Sequence, residues 1–236
     1  MRLWARIAAA LAWLAFCLAG YWIARPFGRE GRWVRRFLGG VGRIAGLRIR
    51  IVGRPAPGPL LIAANHLSWL DILALGGTTG AAFVAKGEVA RWPLVGTLAR
   101  LGGTLFVERE ARAETRRQAD ALGDALRRPR PAVLFAEGTT GDGTTLLPFR
   151  PALFAAAVAA GVPVQPVAID YGADAAGVAW PEQEPFAANA ARMLRRRRTR
   201  LTLRFLPPVA PGADRKALAA AARGAVAASL AAADRL

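Results

Sequence analysis

Histidine occurs once in the 236 residues, at His66, inside Asn65-His66-Leu67-Ser68-Trp69-Leu70-Asp71. An imidazole takes up and returns a proton near neutral pH. An aspartate that bends back to one ring nitrogen fixes the tautomer and leaves the other nitrogen free as a base. Asp71 is spaced to do this, and no serine or cysteine nucleophile is evidently placed beside the pair. The base would then act directly on a substrate hydroxyl. A second reading needs no catalysis: Ser68-x-x-Asp71 is also a helix-start signature in which the acid serves the helix dipole.

Further segments carry polar chemistry. Gly102-Gly103-Thr104-Leu105-Phe106-Val107-Glu108-Arg109 is a glycine turn, a strand and an arginine at the strand's end. That arginine can hold a phosphate or carboxylate bidentately, or pair with Glu108 or Glu110. Leu134-Phe135-Ala136-Glu137-Gly138-Thr139-Thr140-Gly141-Asp142-Gly143 delivers an acid into a loop of glycines and threonines. Its amides and hydroxyls can bind a polar head group, or form only a tight turn. It is not a Walker loop, because the lysine is absent. In Gly161-Val162-Pro163-Val164-Gln165-Pro166-Val167 two prolines bracket an apolar segment, suited to packing or a pocket wall. Arg195-Arg196-Arg197-Arg198-Thr199-Arg200 is a charge run that suits lipid phosphate, nucleic acid or plain solvation. It holds no aromatic for base stacking, so nucleic acid is not an expected partner.

These residues need a frame. Short apolar runs alternate with helical stretches from Leu47 onward. Leu47 to Val52, Pro59 to Ala64, Ala81 to Ala85, Thr104 to Glu108, Ala132 to Ala136, Val164 to Ile169 and Leu201 to Leu206 read as strands. Asp71 to Leu75, Ala111 to Arg127, Ala152 to Ala160 and Asp214 to Leu236 read as helices. The alternation implies an α/β domain with a mostly parallel sheet flanked by helices. A strand ending at Ala64 would deliver His66 to the carboxyl edge of that sheet, where such folds place ligands.

The N-terminus is different. Ile7 to Ala24 carries no charge and makes about 27 Å of helix, just enough to cross a bilayer core. Arginines are denser after it than before it, which puts the rest of the chain in the cytoplasm by the positive-inside rule. That points to a retained anchor in the inner membrane rather than a cleaved signal peptide. Arg32 to Ile49 is amphipathic, either an interfacial helix on an anionic bilayer or a core-facing helix. The expected division is residues 1–50 as membrane anchor and interfacial helix, and 51–236 as catalytic domain. The formal charge of +17 fits an anionic partner such as a membrane surface, although nearly all the cations are arginine, as a biased codon supply would also give. One cysteine, Cys17, excludes an intrachain disulfide, and with one histidine no metal site is expected.

Taken together, the four motif segments resemble the glycerolipid acyltransferases, nearest to the bacterial 1-acylglycerol-3-phosphate acyltransferase family, over roughly residues 50 to 210. The family pattern Asn-His-x-x-x-x-Asp matches Asn65, His66 and Asp71. Gly-x-Leu-Phe-Ile-x-Arg matches Gly103, Leu105, Phe106 and Arg109, with Val107 for isoleucine. Phe-Pro-Glu-Gly-Thr-Arg matches Phe135, Glu137, Gly138 and Thr139, and the fourth motif is Pro163 to Val167. The resemblance implies that His66 is the general base, Asp71 orients it, and Asn65, Arg109, Glu137, Gly138 and Thr139 serve the substrate. It implies transfer of an acyl chain from acyl-CoA or acyl carrier protein to a lysolipid hydroxyl, with neither metal nor bound cofactor. Ala136 replaces the motif proline and Thr140 the motif arginine. The loop after Glu137 resembles a subgroup that includes lyso-ornithine lipid acyltransferases, whose acceptor has no phosphate. Lysophosphatidate, as the commoner acceptor in the wider family, is the first expectation and lyso-ornithine lipid the alternative.

Overall fold

The computed structural model describes residues 1–107, 122–181 and 183–233. Arg109, Glu110, Glu114 and most of the helix expected from Ala111 to Arg127 lie outside the described residues. Only the stretch 122–126 of that helix is seen, and it is helical.

Seven strands form one sheet in the order β1-β7-β6-β2-β5-β3-β4. They are β1 (Leu47–Val52), β2 (Leu61–Ala64), β3 (Ala82–Lys86), β4 (Leu105–Val107), β5 (Ala132–Phe135), β6 (Val164–Asp170) and β7 (Thr199–Phe205). All neighbours run parallel except β6 and β7, so β1 and β7 point opposite to the other five. The expected α/β class and mostly parallel sheet are what the chain builds. Both faces of the central strands are covered, as a parallel sheet requires, while β1 is exposed from Arg48 onward. Every side chain of β2 is buried. Even-numbered β2 residues join Leu70, Leu73 and Phe83 in one core, while Leu61 and Ala63 join Leu126, Phe154 and Leu218 in another.

The helices are α1 (Arg2–Ala24), α2 (Gly31–Ala45), α3 (Leu70–Thr79), α4 (Val95–Leu101), α5 (Ala155–Ala160), α6 (Phe186–Arg195) and α7 (Arg215–Ala233). The expected helix from Arg32 to Ile49 is shorter than its hydrophobic pattern. It stops at Ala45 because Gly46 turns left-handed, with φ of 91°. Leu47 to Ile49 then belong to β1, which begins before the boundary placed at residue 50. The apolar side of α2, including Leu38 and Val41, packs onto the core shared with α3. Of the two readings left open for this helix, the core-facing one describes that side.

The helix α1 lies on the outside of α2. The Trp13 indole nitrogen donates to the Phe37 carbonyl, 3.3 Å away. Arg6 donates to the carbonyls of Leu194, Arg196 and Arg197 at 3.0, 2.6 and 3.1 Å, where α6 ends. Near the other end of α1, the Tyr21 hydroxyl reaches the Leu101 carbonyl at 3.4 Å. Both ends of this long apolar helix are thus tied to one domain. Its outer side leaves Trp4, Leu11, Phe16, Trp22 and Ile23 exposed.

Candidate active site

The chain leaves β2 at Ala64 and turns at the carboxyl edge of the sheet. Asn65 is buried there with both ends of its amide occupied. Its side-chain nitrogen donates to the Ile169 carbonyl at 2.9 Å, and its oxygen accepts from the Ile169 amide at 2.8 Å. With these two bonds Asn65 pins the end of β2 to β6.

That pin positions His66. The ring Nδ1 lies 2.8 Å from Oδ2 of Asp71, and the imidazole stacks on Phe135 with centroids 3.8 Å apart. Asp71 is fully buried while the His66 side chain keeps 14% of its surface accessible. Asp71 sits in the first turn of α3, as the helix-start reading requires. The same carboxylate faces the histidine, so the two readings of Ser68-x-x-Asp71 describe one arrangement. Oδ2 also accepts from the amides of Leu67 and Ser68 at 2.7 and 2.9 Å, and Oδ1 accepts from the Tyr171 hydroxyl at 2.6 Å. Four donors hold one carboxylate. With Asp71 ionised, Nδ1 carries the proton and Nε2 is free to accept one.

The loop after β5 closes over this turn. Glu137 is 3% exposed. Its Oε1 accepts from the His66 amide at 2.7 Å and its Oε2 from the Leu147 amide at 3.1 Å. Burial pushes its carboxyl above the ordinary value, and the bonds from His66 and Leu147 offset part of that rise. Glu137 is turned inward as a strut between two loops. The Gly141 amide donates to the His66 carbonyl at 2.7 Å, which ties the loop that holds Gly138 and Thr139 to the histidine turn. The Thr140 hydroxyl donates to the Trp180 carbonyl at 2.6 Å. Among the described residues the amides of Thr139 and Thr140 make no hydrogen bond. The Arg150 guanidinium donates to the Glu137 carbonyl at 3.1 Å, so a cation borders the loop. Asp142 accepts from the amides of Thr144 and Thr145, which hold its exposed carboxyl below the usual range. Arg109 lies outside the described residues. The fourth motif segment is strand packing: Val164, Gln165 and Val167 are buried in β6.

Sequence reasoning missed Tyr171 and an aromatic wall. Tyr171 follows β6, the strand next to β2, so a buried tyrosine hydroxyl at that edge was the available signal. Trp69, Trp92, Trp180 and Phe186 contact one another with centroids 5.5 to 6.4 Å apart. The Trp180 amide donates to the Leu67 carbonyl at 2.8 Å, which places this wall against the histidine turn. Trp69, Trp92 and the pair Trp180 and Phe186 come from three separate stretches of the chain and form no local pattern. A general base, a loop of unbonded amides and an apolar wall together suit proton removal from a hydroxyl on a lipid-like substrate.

Comparison with known proteins agrees. A family model described as Acyltransferase matches residues 48–170. The lyso-ornithine lipid O-acyltransferase of Brucella abortus (strain 2308) is 42% identical over 198 residues, covering 76% of this chain and 74% of that protein. The 1-acyl-sn-glycerol-3-phosphate acyltransferase of Neisseria gonorrhoeae is 40% identical over 136 residues, covering 56% and 53%. The crystal structure of the 1-acyl-sn-glycerophosphate acyltransferase PlsC from Thermotoga maritima superposes with a TM-score of 0.65 over 97% of this chain and 98% of its own, at 22% identity, a likeness of fold.

Proposed function

The chain belongs to the acyltransferase family, and from that premise we propose that it moves a fatty acyl chain from a thioester to the hydroxyl of a lysolipid held at a membrane surface. The observation that carries the reading is the His66–Asp71 pair at 2.8 Å. Nε2 of His66 takes the proton of the acceptor hydroxyl as that oxygen attacks the thioester carbonyl. The tetrahedral oxyanion is met by loop amides, with Thr139 and Thr140 as candidate donors. Collapse forms the ester bond and breaks the carbon–sulfur bond. The departing thiolate takes the proton back from His66. The donor is acyl-CoA or an acylated carrier protein, and no step calls for a metal or a bound cofactor.

Lyso-ornithine lipid is placed first among acceptors. Position 140 offers a hydroxyl already committed to Trp180, where the family pattern has an arginine for phosphate. Asp142, held ionised next to Gly141, suits the ammonium of an ornithine head group. The Brucella relative supports this over three quarters of both chains. The second reading is 1-acylglycerol-3-phosphate, favoured by Arg150 at the loop and by the Neisseria relative. Turnover of wild type, Asp142→Asn and Thr140→Arg on both lysolipids tests the choice. The first reading expects both variants to raise KM for lyso-ornithine lipid. Wild-type turnover of lysophosphatidate alone would overturn it.

Among the described residues two helices, Arg2–Phe27 and Arg215–Ala233, are long and apolar enough to cross a membrane. For α1 the supported placement is in one leaflet, since both ends are bonded to the same domain and the outer side is apolar along its length. The arginines that follow α1 suit the anionic head groups of a cytoplasmic leaflet, so the cytoplasmic face of the inner membrane is part of the proposal.

A further inference from the structure

The arginines at the β1–β7 side of the sheet take no part in the site just described. Arg48 and Arg200 are direct cross-strand partners, with Arg50 two residues along β1. Residues two apart in a strand share a face, so all three point the same way. Directly opposed like charges destabilise a sheet unless an anion lies between them. Arg197 and Arg198 occupy the turn that enters β7, and with Arg196 and Arg200 they line an open cavity of about 510 Å³. Nearby acids are already engaged: Asp170 with Arg204, Asp174 with Arg196 and Glu184 with Arg192. Among the described residues, none of Arg48, Arg50, Arg197, Arg198 and Arg200 has an acidic partner. The turn itself is held by Arg6 through the carbonyls of Arg196 and Arg197.

Position selects the partner. Because β7 runs against β6, its beginning lies at the edge where β6 ends and His66 sits. In the sheet order β7 is two strands from β2, about 10 Å at the usual strand spacing. Leu47, Leu201 and Leu203 face the core that α2 and α3 cover. Arg48, Arg50 and Arg200 therefore face away from α1, and a bilayer taken up by α1 leaves these three in water, while the turn with Arg197 and Arg198 joins them from the start of α1. No aromatic ring stands among the five to stack an adenine, and the surface is broad and open rather than pocket-like.

We propose that Arg48, Arg50, Arg197, Arg198 and Arg200 form the docking surface for an acidic acyl carrier protein, whose flexible thioester arm then reaches His66 along the same sheet edge. This rests on the acyltransfer reading and names the face by which the donor arrives. Electrostatic complementarity of this kind sets encounter rates and register, and weakens with salt.

The test uses the full chain in detergent micelles, with the same acyl chain presented on an acidic carrier protein or on CoA. The variants are Arg48→Glu/Arg200→Glu and, independently, Arg197→Glu/Arg198→Glu. The expected result is a KM for the carrier-borne donor raised about 10-fold or more with kcat unchanged, and a KM for acyl-CoA changed less than about 2-fold. Binding of the unacylated carrier, read by titration without catalysis, should weaken in parallel and fall with salt in the wild type. An unchanged carrier KM in both variants overturns the proposal. An equal loss on acyl-CoA reassigns the patch to nucleotide phosphates, and lost vesicle binding with unchanged KM reassigns it to the membrane. Either would overturn it. If the wild type turns over neither donor, the acyltransfer reading fails, while the carrier titration still reads the surface.

Discussion

Tyr171 donates its hydroxyl hydrogen to Oδ1 of Asp71 at 2.6 Å, while Oδ2 of the same carboxylate faces His66. The residue after β6 thus braces the acid that faces the proposed base on β2's turn. Burial, and then the charge of Asp71, push the phenol far above its ordinary value, so the proton stays on the tyrosine at any working pH.

Replacing Tyr171 with Phe removes that donor and leaves the rest of the ring's packing. A charge-assisted bond lost at a buried carboxylate should lower stability by about 1–3 kcal/mol. The expected kinetic effect is a fall in kcat with little change in KM, because the tyrosine acts through Asp71 and not on the lysolipid. Chemical denaturation and initial rates check both. An unaltered kcat would remove Tyr171 from the catalytic account.

Glu137 gives a pH signature. Its carboxyl is raised in the folded protein, mainly by burial, so the stability linked to it is fully present below the ordinary value of 4.5 and is lost as pH rises through the raised value. Glu137→Gln cannot show that decline. The side-chain amide can still accept one of the two amides that the carboxylate holds, at a cost of about 1 kcal/mol for the other. From pH 4.5 upward the wild-type unfolding free energy should fall relative to that of Glu137→Gln. Parallel curves would contradict the assignment.

Helices α2 and α3 cross at Gly39 and Gly77. A Cβ at Gly77 would lie 2.6 Å from the Gly39 Cα and 2.8 Å from its nitrogen. Both contacts are backbone, so relief requires the helices to separate. Gly77→Ala should lose about 1–3 kcal/mol by overpacking. A melting temperature equal to wild type would show that the crossing is looser than it stands.

Much of this was legible in the residues, and the physical reasons are local. Apolar runs bounded by glycine and proline marked β2, β3, β5 and β6, because a strand covered on both faces is apolar throughout, whereas β1 showed as an alternation of apolar residues and arginines. His66 and Asp71 were legible because five residues around one helix start fix their approach. Asn65 and Glu137 were recognised as site residues, but the backbone groups that hold them were not. Their partners, Ile169 at 104 residues' separation and Leu147 beyond a loop, exist only once β2, β5 and β6 are aligned. Tyr171 and the aromatic wall escaped for the same reason. The end of α2 was overrun because its hydrophobic repeat continues smoothly into the alternation of β1, and only the backbone of Gly46 separates them.

The central claim is that His66 removes the acceptor's proton. The most direct measurement is single-turnover acyl transfer by purified His66→Ala, with far-UV circular dichroism and vesicle binding confirming a folded, lipid-associated protein. The account predicts a rate lower by about 10²–10⁴-fold with both properties retained. A folded His66→Ala protein that transfers acyl chains at a rate near wild type would contradict it.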